Sequence, residues 1–256
     1  MPDAAHRFRR LRIANIVLAL LHAAQAAVIL LLSKDFGLPV TENFLEGPPG
    51  VSELPAAETL FDLPLGPAVA AFLLLAALDH GLTAAPGLHR WYERRLTEGI
   101  NPARWVEYSL SASLMVVLIA MLTGVSELRT LVAVFGVNAA MILFGWLQER
   151  FNDQQGNVSW LPFAFGCVAG AIPWVVIGIS IIGSELDGAG PPAFVYGIFA
   201  SLFLLFNSFA VNQALQYARV GPWRDYLFGE WGYLVLSLTA KSLLAWQVFA
   251  NVLLDS

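Results

Sequence analysis

The stretch Glu230-Trp-Gly-Tyr-Leu-Val-Leu-Ser-Leu-Thr-Ala-Lys241-Ser-Leu-Leu-Ala-Trp-Gln-Val-Phe-Ala-Asn-Val-Leu-Leu254 decides how the rest of the chain is read. It is apolar over more than the about 20 residues that a bilayer-spanning helix needs, and it carries one lysine near its middle. An ammonium at the bilayer centre costs roughly 2.5–3.5 kcal/mol on insertion scales, so such a lysine faces a bundle interior and finds a partner there. Burial disfavours charge, and a neutral amine is the species that condenses with a carbonyl to form a Schiff base. The alternative is an ammonium held in an ion pair inside a transporter core.

Composition agrees with a membrane setting. The 256 residues are 57% hydrophobic and 13% charged, with a mean hydropathy of +0.66, whereas about a quarter of the residues of a soluble domain are charged. A formal charge of -5 argues against a nucleic-acid partner, which requires a basic surface. The single cysteine, Cys167, has no intramolecular disulfide partner and reads as packing within an apolar run.

Working outward from the last span, six more apolar segments appear. The expected architecture is all-α: a seven-transmembrane-helix bundle in one membrane domain over 1–256, with approximate spans 12–33, 65–84, 102–123, 128–148, 160–184, 193–217 and 230–254. The first apolar run exceeds the core of a cleaved signal peptide and reads as a retained helix. Asn101-Pro102 supplies an N-cap followed by a proline pre-set for the first helical position. Pro173 is expected to kink the fifth span.

Segment 34–64 holds Glu42, Glu46, Glu53, Glu58 and Asp62 among five prolines and three glycines, and reads as a long external loop too weakly alternating for strands to be assigned. Segment 85–102 reads as a basic loop, and Glu149, Arg150 and Asp153 as part of a short one. Charge sets the orientation. Arg7, Arg9, Arg10, Arg12, Arg90, Arg94, Arg95, Arg104, Arg150, Arg219 and Arg224 group on one side and only Lys34 and Arg129 on the other, which puts the N-terminus in the cytoplasm and Asp255-Ser256 outside. Lys241 is then the only basic residue without an interface to reach.

The third span places Arg104, Glu107, Tyr108, Ser111 and Met115 at helical spacing on one face. An intramembrane carboxylate needs a cation, and Glu107 has two choices: Lys241 across the bundle, or Arg104 three residues away. Ser237 precedes Lys241 by one turn and shares its face, although serines in spanning helices also bond their own helix. His22 and His80 read as flanking the same cavity, where an imidazole exchanges protons near neutral pH or simply packs. Asp79, adjacent to His80, must point elsewhere.

Arg104-Trp-Val-Glu107-Tyr-Ser-Leu-Ser-Ala-Ser-Leu-Met115 together with Ser237-Leu-Thr-Ala-Lys241-Ser-Leu-Leu-Ala-Trp-Gln-Val248 resembles heliorhodopsin, one of the retinal-binding seven-helix proteins, and the likeness extends over all seven spans. The resemblance implies all-trans retinal bound covalently to Lys241 as a protonated Schiff base, Glu107 as its counterion, Ser237 in support, and His22 and His80 as the proton-accepting cavity histidines. It also implies an N-terminus inside the cell, a homodimer, and a hairpin in the first external loop. Helix facing and the same likeness put Tyr108, Ser111, Met115, Asn138, Met141 and Phe206 around the polyene, although methionine and phenylalanine at helical spacing are equally ordinary core.

Residue types separate pump from sensor. Where the outward proton pumps carry carboxylate, threonine and carboxylate, this chain has Glu107, Ser111 and Leu118, so no proton donor is present. Ser237 likewise replaces the pumps' second carboxylate. The leading expectation is a light-absorbing photoreceptor in the cell membrane that signals to a downstream partner without net ion pumping. Alternatives are a light-driven proton pump or light-gated proton channel, and a transporter without chromophore. Nothing resembling a nucleophile with its base, a metal cluster or a phosphate loop suggests an enzyme.

Overall fold

The computed structural model describes residues 2–48, 50, 55–152, 157–188 and 190–254; Glu53, Asp153 and Asp255-Ser256 lie outside them. The elements in order are α1 (Pro2–Leu32), β1 (Gly37–Glu42), β2 (Glu58–Pro64), α2 (Leu65–Ala84), α3 (Leu88–Thr97), α4 (Pro102–Leu122), α5 (Leu128–Phe151), α6 (Leu161–Leu186), α7 (Ala193–Tyr217) and α8 (Tyr226–Val248). A 3-10 turn at Gly221–Arg224 leads into α8, and a π-helical turn at Phe249–Leu253 ends it. Seven of these helices are long and apolar enough to cross a membrane. Only α3 is not.

The spanning helices follow one another round the bundle in the order α6, α5, α4, α2, α1, α8 and α7, with α4 also touching α6 and α7, while the backbones of α6 and α7 stay apart although they are consecutive in the chain. Asn101 caps α4 by accepting from the Arg104 amide at 3.2 Å, and Pro102 follows it at the first helical position. That cap fixes the phase of α4, the most deeply enclosed span, and hence which of its side chains face inward. Pro173 is buried inside α6, which continues as helix past it.

Two segments read as loops are structured, and the first departs from an all-α reading. The acidic loop folds partly into an antiparallel hairpin, β1 against β2, with a register shift between Val40 and Thr41. This is the hairpin implied by the family resemblance, and it is fastened to the bundle. Thr41 donates its amide to the Ser126 carbonyl at 2.9 Å, and buried Glu42 receives the Arg129 guanidinium. At the opposite end, the basic segment after α2 is an amphipathic helix. Gly87 turns the chain at φ +94°, and α3 then buries His89, Tyr92 and Leu96 on one face.

Candidate functional site

The site forms where α4 and α8 approach each other near the middle of the bundle. Lys241 and Glu107 are both buried, and the lysine Nζ donates to Glu107 Oε2 at 3.2 Å and to Ser237 Oγ at 2.9 Å. The Ser237 contact follows from spacing, since residues four apart on a helix stack on one face. Lys241 also sits 4.7 Å from the centroid of the Tyr108 ring, an aromatic face that favours a cation. Glu107 Oε1 and Ser111 Oγ are buried without a hydrogen-bond partner among the described residues.

Lys241 opens into a cavity of about 470 Å³, within the range of roughly 300–1,000 Å³ typical of small-molecule pockets. Its walls are aromatic and thioether groups: Trp105, Tyr108 and Met115 of α4, Met141 of α5, Trp174 of α6, Phe203, Phe206 and Phe209 of α7, and Tyr233 of α8. Trp174 meets Phe199, Phe203 and Phe206 edge-on, with centroids 5.9, 5.2 and 5.6 Å away. Small residues make the room. A Cβ on Gly145 would come within 2.5 Å of Trp105, and one on Gly170 within 2.5 Å of Met141.

Of the residues expected around the polyene, Tyr108, Met115, Met141, Phe206 and Ser237 line the cavity with Lys241; Ser111 and Asn138 do not. The single polar stripe read on the third span separates into two. Trp105, Tyr108, Ala112 and Met115 face the cavity, while Arg104, Glu107 and Ser111 occupy the adjacent strip of the same helix. Asn138 is taken up elsewhere, donating to Ser113 Oγ at 3.0 Å across the α4–α5 contact. Cys167 is not packing: it is exposed on α6 at the edge of the cavity.

His22 on α1 and His80 on α2 stack almost parallel, with centroids 5.8 Å apart. His80 Nδ1 is hydrogen-bonded to Asn15 Oδ1 at 2.7 Å, whereas neither ring nitrogen of His22 has a partner among the described residues. Asn15 was not singled out in the sequence. A polar residue seven before a histidine, two turns away on an otherwise apolar helix, was the available signal.

Arg104, near the start of α4, is not exposed, and the alternative partnership with Glu107 is not the one formed. It is buried between Glu149 of α5 and Glu230 of α8, with one terminal nitrogen on each carboxylate, and its guanidinium lies 3.8 Å from the Tyr233 ring centroid. Trp105 Nε1 and the Asn101 amide donate to Glu149 at 2.5 and 3.0 Å. Asn101 Nδ2 and the Tyr92 hydroxyl donate to Glu230 at 2.6 and 3.2 Å, and the Tyr226 hydroxyl donates to Glu149 at 3.2 Å. Sequence reading placed both glutamates at span ends, where an exposed carboxylate is ordinary.

The heliorhodopsin family model matches residues 11–253. The chain belongs to the heliorhodopsin family. No curated protein sequence matches it. Among solved structures it is similar to a light-driven proton pump from Leptosphaeria maculans, at 14% identity and TM-score 0.63, covering 96% of this chain and 94% of that one. It is also similar to the light-driven proton pump of Coccomyxa subellipsoidea, at 16% identity and TM-score 0.64, covering 94% and 96%. Halorhodopsin, a light-driven chloride pump, gives 15% identity and TM-score 0.61, covering 94% and 95%. At such identities the likeness is one of fold, and the fold is that of the microbial rhodopsins. Family membership supports a multi-pass membrane protein that uses retinal as chromophore.

Proposed function

We propose that the chain is a photoreceptor that holds all-trans retinal on Lys241, with Glu107 as counterion and Ser237 in support. The observation that carries this reading is an amine set in the wall of an aromatic cavity, with one carboxylate 3.2 Å away. Retinal joined to that amine as a protonated Schiff base supplies visible absorption and a light-driven change of shape. The residues present suit it: Trp105, Trp174 and the α7 phenylalanines enclose an apolar body, while Glu107 and the Tyr108 face stabilise positive charge at the lysine nitrogen. Ser111 and Asn138 act, in this reading, from behind the cavity wall.

His22 and His80 serve as the place where a proton lost by the Lys241 nitrogen is held. The His80–Asn15 bond fixes one imidazole, and the unpartnered His22 nitrogens leave the other free to accept. The N-terminus and α3 face the cytoplasm, since the basic residues cluster there. The output is signalling to a partner protein from a homodimer, without net ion transport and without enzymatic chemistry. A light-driven proton pump or light-gated proton channel is the second reading, favoured by the polar line Asn15, His80 and His22; it requires a light-induced pH change in vesicles that a protonophore abolishes.

The deciding experiment compares visible spectra of the native chain and Lys241→Ala after incubation with all-trans retinal. A visible band in the native protein and none in the variant is expected. A colourless native protein, or a band that survives the substitution, overturns the reading.

A further inference from the structure

Arg104 and Glu107 are three residues apart on α4, a spacing that brings Cβ atoms to about 5–6 Å and lets opposite charges pair. Glu107 even has an oxygen to offer, since Oε1 is buried and unpartnered among the described residues. A buried guanidinium cannot shed its proton and must find anions. Left to itself it would compete with Lys241 for Glu107. It does not, because its two terminal nitrogens are held by carboxylates on two other helices; only Nε, nearer the backbone, is buried without a partner among the described residues. Those carboxylates are themselves fixed by Trp105, Asn101, Tyr92 and Tyr226, and the Tyr233 ring covers the guanidinium.

We propose that Glu149 and Glu230 are positioning residues: they clamp Arg104 away from Glu107, so that Lys241 is the one cation this carboxylate serves. Two anions on one cation exceed what neutralising Arg104 requires, and the excess acquires a purpose if the fork must be held at both ends. Replacing either glutamate by glutamine removes one of the two charges that hold the fork and leaves a weaker, neutral acceptor there, so that one guanidinium nitrogen turns to the charged Glu107 Oε1. The field that Glu107 exerts at the lysine nitrogen then weakens.

For its spectral readout this inference rests on the retinal reading above. Excitation moves positive charge away from the nitrogen, so a weaker anion there shifts absorption to longer wavelength. Glu149→Gln and Glu230→Gln should each shift the visible band of the retinal-loaded protein to the red, by less than Glu107→Gln does, and Glu230→Asp should restore it. Adding Arg104→Gln to either glutamine variant should return the band towards its native position, because no guanidinium remains to intrude. A band that does not move, or a shift that persists in the Arg104→Gln background, overturns the clamp. If the single glutamine variants fail to fold, rescue by Arg104→Gln supports it and failure of rescue overturns it.

A second readout needs no retinal. In the retinal-free protein, modification of Lys241 by a small amine-reactive reagent should accelerate several-fold in the glutamine variants and slow again when Arg104→Gln is added. Unchanged rates contradict the clamp. A native protein that stays colourless with retinal defeats the photoreceptor reading alone and leaves the labelling result to judge the clamp.

Discussion

Two buried cations sit close together in this bundle, and their surroundings differ. Around Arg104 every carboxylate oxygen has a donor, supplied by α3, by α4 with its cap and by α8, and of the charged groups there only the guanidinium Nε lacks a partner among the described residues. Around Lys241 the polar groups are incompletely matched: one oxygen of Glu107, the hydroxyl of Ser111 and both nitrogens of His22 lack partners among the described residues. The more completely a buried network is satisfied the more it rigidifies, whereas an under-satisfied one costs stability and is kept where something must bind or change. The first is a fastening and the second a workplace.

The contrast breaks most visibly if Arg104 is removed. Arg104→Ala leaves two carboxylates buried without their cation, and breaking a buried pair costs about 3–5 kcal/mol, so thermal or detergent unfolding should show a loss of that order. Glu107→Gln should destabilise the retinal-free protein distinctly less, because lysine can give up its proton when its anion is removed and arginine cannot. Its effect should appear instead as a displaced visible band in the loaded protein. Equal destabilisation by the two variants would erase the distinction.

A smaller effect tests the wall that the two sites share. Gly145→Ala drives a Cβ against Trp105, whose ring lines the cavity and whose Nε1 holds Glu149. Overpacking of this kind costs about 1–3 kcal/mol. Unfolding should report that loss together with a shifted band, since both sites feel the ring; a loss without spectral change would show that they are independent.

The smallest effect lies at the hairpin. The Arg129 guanidinium hydrogen-bonded to Glu42 holds that carboxyl below its ordinary value. A depressed folded-state value means that the pair stabilises the attachment above the unfolded carboxylate range, and that this stabilisation is lost as pH falls through the lowered value. Amide exchange at Thr41, which donates to Ser126, should stay protected at neutral pH and loosen on acidification. Glu42→Gln should remove that pH dependence and leave the bundle sites untouched.

Much of this was legible in the sequence because bilayers impose simple rules. Apolar length marked seven helices, Asn101-Pro102 announced the start of α4, and an intramembrane lysine with a glutamate across the bundle pointed to the Lys241–Glu107 pair. What escaped had a common cause. Glu149 and Glu230 sit where spans end, and hydropathy does not distinguish a carboxylate facing headgroups from one turned inward to an arginine. The α4 stripe looked like one face because residues at i+3 and i+4 both fall within about 60° of residue i, one on each side of it, yet they stand about 100° apart from each other, and that separation decides whether Ser111 or Ala112 meets the cavity. In α3, His89, Tyr92 and Leu96 recur at three and four residues, but four arginine and glutamate neighbours drew attention to charge rather than to period.

Where the backbones of α6 and α7 stand apart, beside the Trp174 cluster, Cys167, Ala171 and Val175 on one side and Phe203 and Asn207 on the other are both exposed and part of the cavity wall. Such a doorway opens sideways, onto acyl chains. A cargo that enters by this route partitions first into the lipid, so its loading should follow its mole fraction in the membrane. Detergents that wedge into the slot should compete with the cargo, so the choice of solubilising agent becomes an experimental variable in its own right.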